Sequence, residues 1–414
     1  MTAFIAGSTT TVNINTIGEE LILNLGVAID SDANGINVAT GATGNTFNIS
    51  GSIATQSGFN AVVFDAADTH FIVDKSGFIF SGQSGIIQTS TDVTDIVNNG
   101  SIFAESLGIS SAGLSGKIIN NGTISAAFEA IALGSAPTRT NFTIENYGTL
   151  IGNYGISVGS GDVTILLGKT SVIKSSETSI ESGSDTGDIV TVVNRGFIST
   201  TGDRAYWGDD GLDIFTNFGT VAGDIDLGGG NDVFRDKAGK ITGAVLGGTG
   251  DDTYYMRSIK TDIFEVNGEG SADKVISSKS YSLLLDGEIE QLVLIGKANV
   301  NATGGDTSNL ITGNRGKNVI AGGYGEDFLT GGKGNDIFVF RATNQHDTIT
   351  DFEQGKDHIK IDGFTTFDSF KDIKSHIIQV GDDVVIDLQS EVNGDFLTIE
   401  NAKVKDFDKG DFQF

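Results

Sequence analysis

Four consecutive nine-residue units, beginning at Gly304, Gly313, Gly322 and Gly331, leave this stretch of chain few ways to fold. They read GGDTSNLIT, GNRGKNVIA, GGYGEDFLT and GGKGNDIFV. Asn309, Asn318, Asp327 and Asp336 fill the sixth place, and Ile311, Ile320, Leu329 and Phe338 fill the eighth. Glycine allows the positive φ that a tight turn needs, so the first six residues form a turn with its carbonyls aimed at one point. The last three make a short strand with one inward apolar side chain. Two units complete one turn of a narrow parallel roll, which stacks Asp327 on Asn309 and Asp336 on Asn318.

Stacked carbonyls and carboxylates are the donor set of Ca²⁺, a hard cation that takes six to eight oxygens. The candidate ligands here are Asn309, Asn318, Gly322, Tyr324, Gly325, Asp327, Gly331, Lys333, Gly334 and Asp336, the glycines, Tyr324 and Lys333 through the turn backbone. The units resemble those of the RTX, or hemolysin-type calcium-binding, proteins of Gram-negative bacteria. The resemblance extends upstream over residues 273–314. Downstream it covers Asp347-Thr348-Ile349-Thr350-Asp351-Phe352 and Gly355-Lys356-Asp357-His358-Ile359, which resemble the family's closing cap and add Asp347 to the ligand set. It implies a secreted or cell-surface protein exported by type I secretion, with the acidic, aromatic residues 406–414 looking like the uncleaved signal.

A longer repeat precedes these units. A Gly with an aliphatic residue two places on recurs at Gly51/Ile53, Gly77/Ile79, Gly100/Ile102, Gly122/Ile124, Gly148/Leu150, Gly196/Ile198, Gly219/Val221 and Gly239/Ile241. The one double-length step holds a degenerate anchor near Gly168. Two further landmarks per period, such as Gly108-Ile109 and Ile118-Ile119, give three short β-rich stretches per repeat. Such a period describes a parallel β-helix, one supersecondary unit per coil. Asn98, Asn120, Asn146, Asn194 and Asn217 each sit two places before an anchor glycine. Stacking would put their amides in one column about 4.8 Å apart, each bonding the next.

The two patterns merge between Gly208 and Tyr255. GDDGLDIFT, LGGGNDVFR and GGTGDDTYY fit the nine-residue template once per coil rather than twice. Their spacing puts three turns at one corner of successive coils, with a calcium in each of two gaps. The ligands expected there are Gly208, Gly211 and Asp213, then Gly228, Gly230 and Asp232, then Gly247, Thr249, Gly250 and Asp252. Without metal, the stacked carboxylates repel.

The fold expected is therefore all-β: a right-handed parallel β-helix with three strands per coil, continuing into a calcium-binding RTX β-roll with a C-terminal cap. Residues 1–205 are read as the β-helix, 206–258 as coils with the calcium corner, and 259–300 as a strand-rich connector. Residues 301–340 are the tandem roll, and 341–414 the cap with the export signal.

A formal charge of −28 over 414 residues argues against nucleic acid and anionic membrane as partners. The chain has no cysteine, hence no disulfide and no thiolate metal site. No secretory signal peptide or membrane-length apolar run is visible.

Enzymes of the family carry recognisable catalytic modules, and the His-Glu-x-x-His string of a zinc protease does not occur here. The bases Lys75, Lys117, Arg139, Lys169, Lys174 and Arg195 read as solvated surface charges. Tyr206 and Trp207 read as packing beside the first calcium turn rather than as a sugar platform. No catalytic residue is assigned, and an enzyme is the less favoured reading. The expectation is an extracellular structural, adhesive or self-assembling protein that folds on calcium after export, its open solenoid ends able to associate end to end. A polysaccharide-binding or polysaccharide-cleaving protein of the cell surface is the alternative.

Overall fold

The computed structural model describes the chain apart from residues 1, 5, 6, 9, 16, 25, 92, 136–138, 184, 258–260, 266–269, 343–345 and 389–395. The described residues are almost wholly β, with one four-residue α-helix at Phe370–Ile373. They form a parallel β-solenoid divided into two compact units. One holds residues 1–232 and 237–246, and the other holds 233–236 and 247–414.

The first unit is built from coils of three strands, as in Thr94–Asn98, Ser101–Ala104 and Leu107–Ser111, after which Gly116–Asn120 stacks on the first of them. Alternation along each strand sends one residue in two inward. The apolar anchors therefore form a continuous column: Ile53, Ile79, Ile102, Ile124, Leu150, Ile173, Ile198 and Val221 pair in register and are fully buried. A second column runs Ile86, Ile109, Ile131, Ile156 and Ile180. Burying one such side chain is worth about 1.5–3 kcal/mol, so a core one residue wide becomes stable only by repetition.

Glycine marks the anchors because the coils touch there. A Cβ on Gly122 or Gly148 would collide with the anchor carbonyl of the preceding coil, Gly100 or Gly122. The asparagines two places earlier do form a ladder. Asn98 Nδ2 donates to Asn120 Oδ1 at 2.8 Å, Asn120 Nδ2 to Asn146 Oδ1 at 2.8 Å, and Asn194 Nδ2 to Asn217 Oδ1 at 2.9 Å. All five amides are fully buried. One rung is missing, because Leu167 occupies the column between Asn146 and Asn194. In that coil the anchor place two before Ile173 is Ser171 rather than Gly168, and Asn146 Nδ2 donates to Ser171 Oγ at 2.6 Å. A hydroxyl in the anchor place thus replaces the absent amide.

Arg139 corrects the reading of the bases as surface charges. Its guanidinium is buried, 1 % exposed, and donates to the carbonyls of Gly113, Gly134 and Ser160 at 2.9, 2.6 and 2.5 Å. It also lies over the Phe142 ring at 5.7 Å. The planar fork ties together loop carbonyls of successive coils.

In the second unit the coils narrow to two strands. Leu310–Thr312 pairs with Phe328–Thr330, and Val319–Ala321 pairs with Ile337–Arg341, each one full turn apart. Gln291–Leu294 and Lys274–Ser277 extend the first of these sheets upstream, pairing back to Thr253–Met256. The C-terminal end is covered by an antiparallel hairpin, Ile377–Val380 with Asp383–Asp387, and by the strand Phe412–Gln413 beside Ile359–Lys360. Phe407 and Phe412 are buried there, stacked on Phe352 and Phe370. No helix among the described residues is long and apolar enough to cross a membrane.

Candidate metal centres

The nonapeptide turns stack as their spacing requires. The N–H of Asn309 donates to Asp327 Oδ1 at 2.8 Å, and that of Asn318 to Asp336 Oδ1 at 2.8 Å. The turn backbones also stack in register, with Tyr324 N–H on Gly305 O and Lys333 N–H on Asn314 O, both at 3.0 Å. Gly323, Gly325, Gly332 and Gly334 have φ of 108°, 104°, 87° and 152°, the left-handed region that a side chain resists. A Cβ on Gly322 would strike the Asp327 carboxylate, and one on Gly331 would meet that of Asp336 at 2.8 Å.

The four sixth-place residues divide into two kinds. Asn309 and Asn318 are satisfied as amides: Oδ1 accepts from Gly305 and Asn314 N–H, and Nδ2 donates to Ile289 and Val300 O. They border coils outside the tandem array, where a donor is needed that Asp lacks. Asp327 and Asp336 keep Oδ2 buried with no hydrogen bond. Burial lifts each to about 6, against the N–H bonds from Asn309 and Asn318 that lower it.

Both columns continue into the cap. Asp327 N–H donates to Asp347 Oδ1 at 3.2 Å, and Asp336 N–H to Asp357 Oδ1 at 2.9 Å. Asp357 is absent from the ligand set read from sequence, although it precedes its strand as Asp336 does.

A second acidic group lies upstream in the same unit. Asp252, Glu265 and Asp273 are all buried, with oxygens within 4.8 Å of one another. Asp252 N–H donates to Asp273 Oδ1 at 2.7 Å, and Tyr254 Oη donates to Glu265 Oε1. Burial raises Glu265 to about 8 and Asp273 to about 6. Gly247 leaves room for the three carboxyl-facing oxygens of Asp252, Glu265 and Tyr254, and Gly248 and Gly250 turn at φ of 94° and 116°. Thr249 lies in that same turn. Sequence reading found Asp252 but neither Glu265 nor Asp273, because Glu265 belongs to no repeat.

The first unit holds the turns of Gly208 and Gly228. Asp213 N–H donates to Asp232 Oδ1 at 2.7 Å, repeating the relation of the tandem turns. Gly228 and Gly230 have φ of 93° and 123°, and Gly230 lies against the Gly211 carbonyl. Asp232 belongs to the first unit and Asp252 to the second. Tyr206 is fully buried and packs edge-on to Phe215 at 5.3 Å, as read. Trp207 differs from that reading: it is half-exposed beneath Arg204, whose guanidinium stands 4.7 Å from the ring. His70 pairs with Asp95 at 3.5 Å on an exposed face.

Stacked glycine-rich turns closing on buried carboxylates, inside a parallel solenoid, define a calcium-binding β-solenoid. Residues 303–338 match the model of the RTX calcium-binding nonapeptide repeat in four copies, and the chain carries RTX repeats. The chain is also 36% identical over 185 residues to the endo-1,3-1,4-beta-glycanase ExsH of Rhizobium meliloti (strain 1021). That match takes in 44% of this chain and spans 37% of the relative's length.

Proposed function

We propose that this protein is an extracellular structural or adhesive solenoid that folds when calcium fills its turns after export. The observation that carries the reading is the pair Asp327 and Asp336, buried carboxylates whose Oδ2 atoms lack a hydrogen bond. An ionised group so placed costs several kcal/mol unless a cation meets it. In this reading one calcium lies between the turns of Asn309 and Asp327 and another between those of Asn318 and Asp336. Carbonyls of Gly322, Tyr324, Gly325, Gly331, Lys333 and Gly334 serve as further ligands, and Asp347 and Asp357 extend the columns. Gly247, Thr249, Gly250 and Asp252, joined by Glu265 and Asp273, hold another ion. Calcium that binds only the folded chain stabilises it by mass action, so low-calcium cytosol keeps the chain unfolded for export. Light scattering across a calcium titration tests the assembly role: calcium-driven association supports it, and a monomer throughout contradicts it.

A polysaccharide role is the second reading, favoured by the similarity to a glycanase. On one outer face of the first unit, Glu129 and Glu181 are both held above the ordinary carboxylate range, chiefly by burial, and the charge of Glu181 adds to the rise at Glu129. Phe128 and Tyr154 pack edge-on beside them at 5.5 Å. A pair of neighbouring carboxyl groups is the equipment of glycoside cleavage, and aromatic faces suit sugar rings. New reducing ends from a β-glucan or an acidic exopolysaccharide, lost in Glu129→Gln, support this reading. Intact polymer after prolonged incubation contradicts it.

A further inference from the structure

Between Leu283 and Gly287 the second unit has a turn whose burial is inverted. Asp286 is buried, 6 % exposed, while Leu284 and Leu285 stand toward solvent, Leu285 at 85 %. A surface turn ordinarily exposes its acid and hides its leucines, because a carboxylate is costly to take out of water and apolar surface is not. The backbone fixes the inversion: Asp286 N–H donates to Leu283 O, and Asp286 O accepts from Glu265 N–H, both at 3.1 Å. The Tyr281 hydroxyl bonds the Asp286 carboxyl, and among the described residues Asp286 Oδ2 has no further partner. One donor leaves most of the acceptor capacity of a carboxylate unused.

The turn borders a cavity at the edge of a sheet. Tyr281–Ser282 is the end strand of the six-stranded sheet in this unit, pairing on one side with Ala302–Thr303. Beside it lies a cavity of about 580 Å³, lined by Tyr281, Leu284, Leu285 and Asp286 together with Asp262. That is the size of a small-molecule site. Its wall carries two carboxyl groups, close enough for the Asp262 charge to act on Asp286, and among the described residues no basic side chain.

We propose that this cavity binds a primary ammonium on an aliphatic stem, with the head at Asp262 and Asp286 and the stem along Leu284 and Leu285. The two acids repel an anion. A hard metal ion needs six to eight oxygens, and the leucines occupy wall that would have to supply them. A sugar ring stacks on an open aromatic face, whereas Tyr281 is 8 % exposed. An alkylammonium matches both halves of the site, since its methylenes cover apolar surface while its head reaches a carboxylate. A lysine side chain of a protein partner and a free diamine offer this same chemistry. The inference depends neither on the calcium turns nor on either reading of the function.

Calorimetric titration of the full-length protein with pentylammonium tests it, in millimolar calcium to compete for acidic groups elsewhere. The expected result is saturable binding of one ligand per chain. Affinity falls about fourfold for each methylene removed from the stem, and pentanol does not compete. Asp286→Asn keeps the shape without the charge and weakens binding about tenfold. Leu285→Ala, at an exposed position, weakens pentylammonium but not methylammonium. Nα-acetyl-lysine methylamide bound as tightly as pentylammonium supports a protein lysine as the ligand, and tighter binding of cadaverine supports a free diamine. Wild-type protein without saturable binding overturns the inference, as does affinity independent of stem length, equal binding of pentanol, or unchanged affinity in Asp286→Asn. The wild-type series decides even where that variant fails to fold.

Discussion

Asn309 and Asp327 stand one roll turn apart, and the N–H of Asn309 donates to Asp327 Oδ1 at 2.8 Å while Asp327 Oδ2 stays buried without a donor. Half of the carboxylate thus fixes the stacking of turns and half is left for a cation. Substituting Asn for both Asp327 and Asp336 keeps the acceptor and removes the charge. The melting temperature in chelator is then unchanged or raised, while the gain on adding calcium shrinks. A site filled at a hundredfold excess over its dissociation constant contributes about 2.7 kcal/mol. Calorimetry with and without calcium checks this, and an undiminished calcium shift in the double variant contradicts it.

The same burial gives the metal-free protein an inverted pH dependence. Asp327 and Asp336 are lifted to about 6, and Asp213 and Glu265 to about 8. These folded-state values exceed those of the unfolded chain, so the fold binds more protons than the unfolded state between them, and stability falls as pH rises. In chelator the melting temperature therefore declines from about pH 5 to about pH 8, the interval between ordinary carboxylate values and the raised ones. Saturating calcium removes the decline, since the ion requires the deprotonated form. A melting temperature that climbs over this interval in chelator contradicts the assignment.

The asparagine ladder makes a contribution independent of metal. Asn120 accepts from Asn98 and donates to Asn146, both at 2.8 Å. Asn120→Leu strands a buried amide on each side, and each unmade bond costs about 1–3 kcal/mol. The chain tolerates Leu167 in the same column because Ser171 takes the amide of Asn146. Denaturant unfolding in saturating calcium should show a loss of about 2–6 kcal/mol. A loss that calcium restores would contradict a structural role.

Arg139 holds the carbonyls of Gly113, Gly134 and Ser160 together in the first unit. Arg139→Leu leaves all three without their donor and is expected to cost more than about 3 kcal/mol. Hydrogen exchange should rise first at Asp162, whose N–H donates to Arg139 O at 3.1 Å. Unchanged exchange there contradicts the role.

What could be read from sequence was whatever repeats at a fixed offset. The Asn309–Asp327 and Asn318–Asp336 columns both run at a separation of 18, and each ligand lies within a few residues of its own strand. The Asn ladder was legible because each amide keeps a constant place before its glycine. Asp357 was missed where the separation lengthens to 21, and Glu265 because it reaches Asp252 from a segment with no repeat. Arg139 was misread because its burial depends on carbonyls from neighbouring coils, and nothing in its local sequence records them. Sequence showed the period of this solenoid, but not which side chains cross from one coil to the next.

The central claim is that calcium couples to folding, and circular dichroism of the full-length protein with excess chelator and with millimolar calcium tests it most directly. The expected result is a large gain in β signal and in melting temperature when calcium is added, reversed by chelation. The same β content and the same melting temperature in both conditions would contradict it.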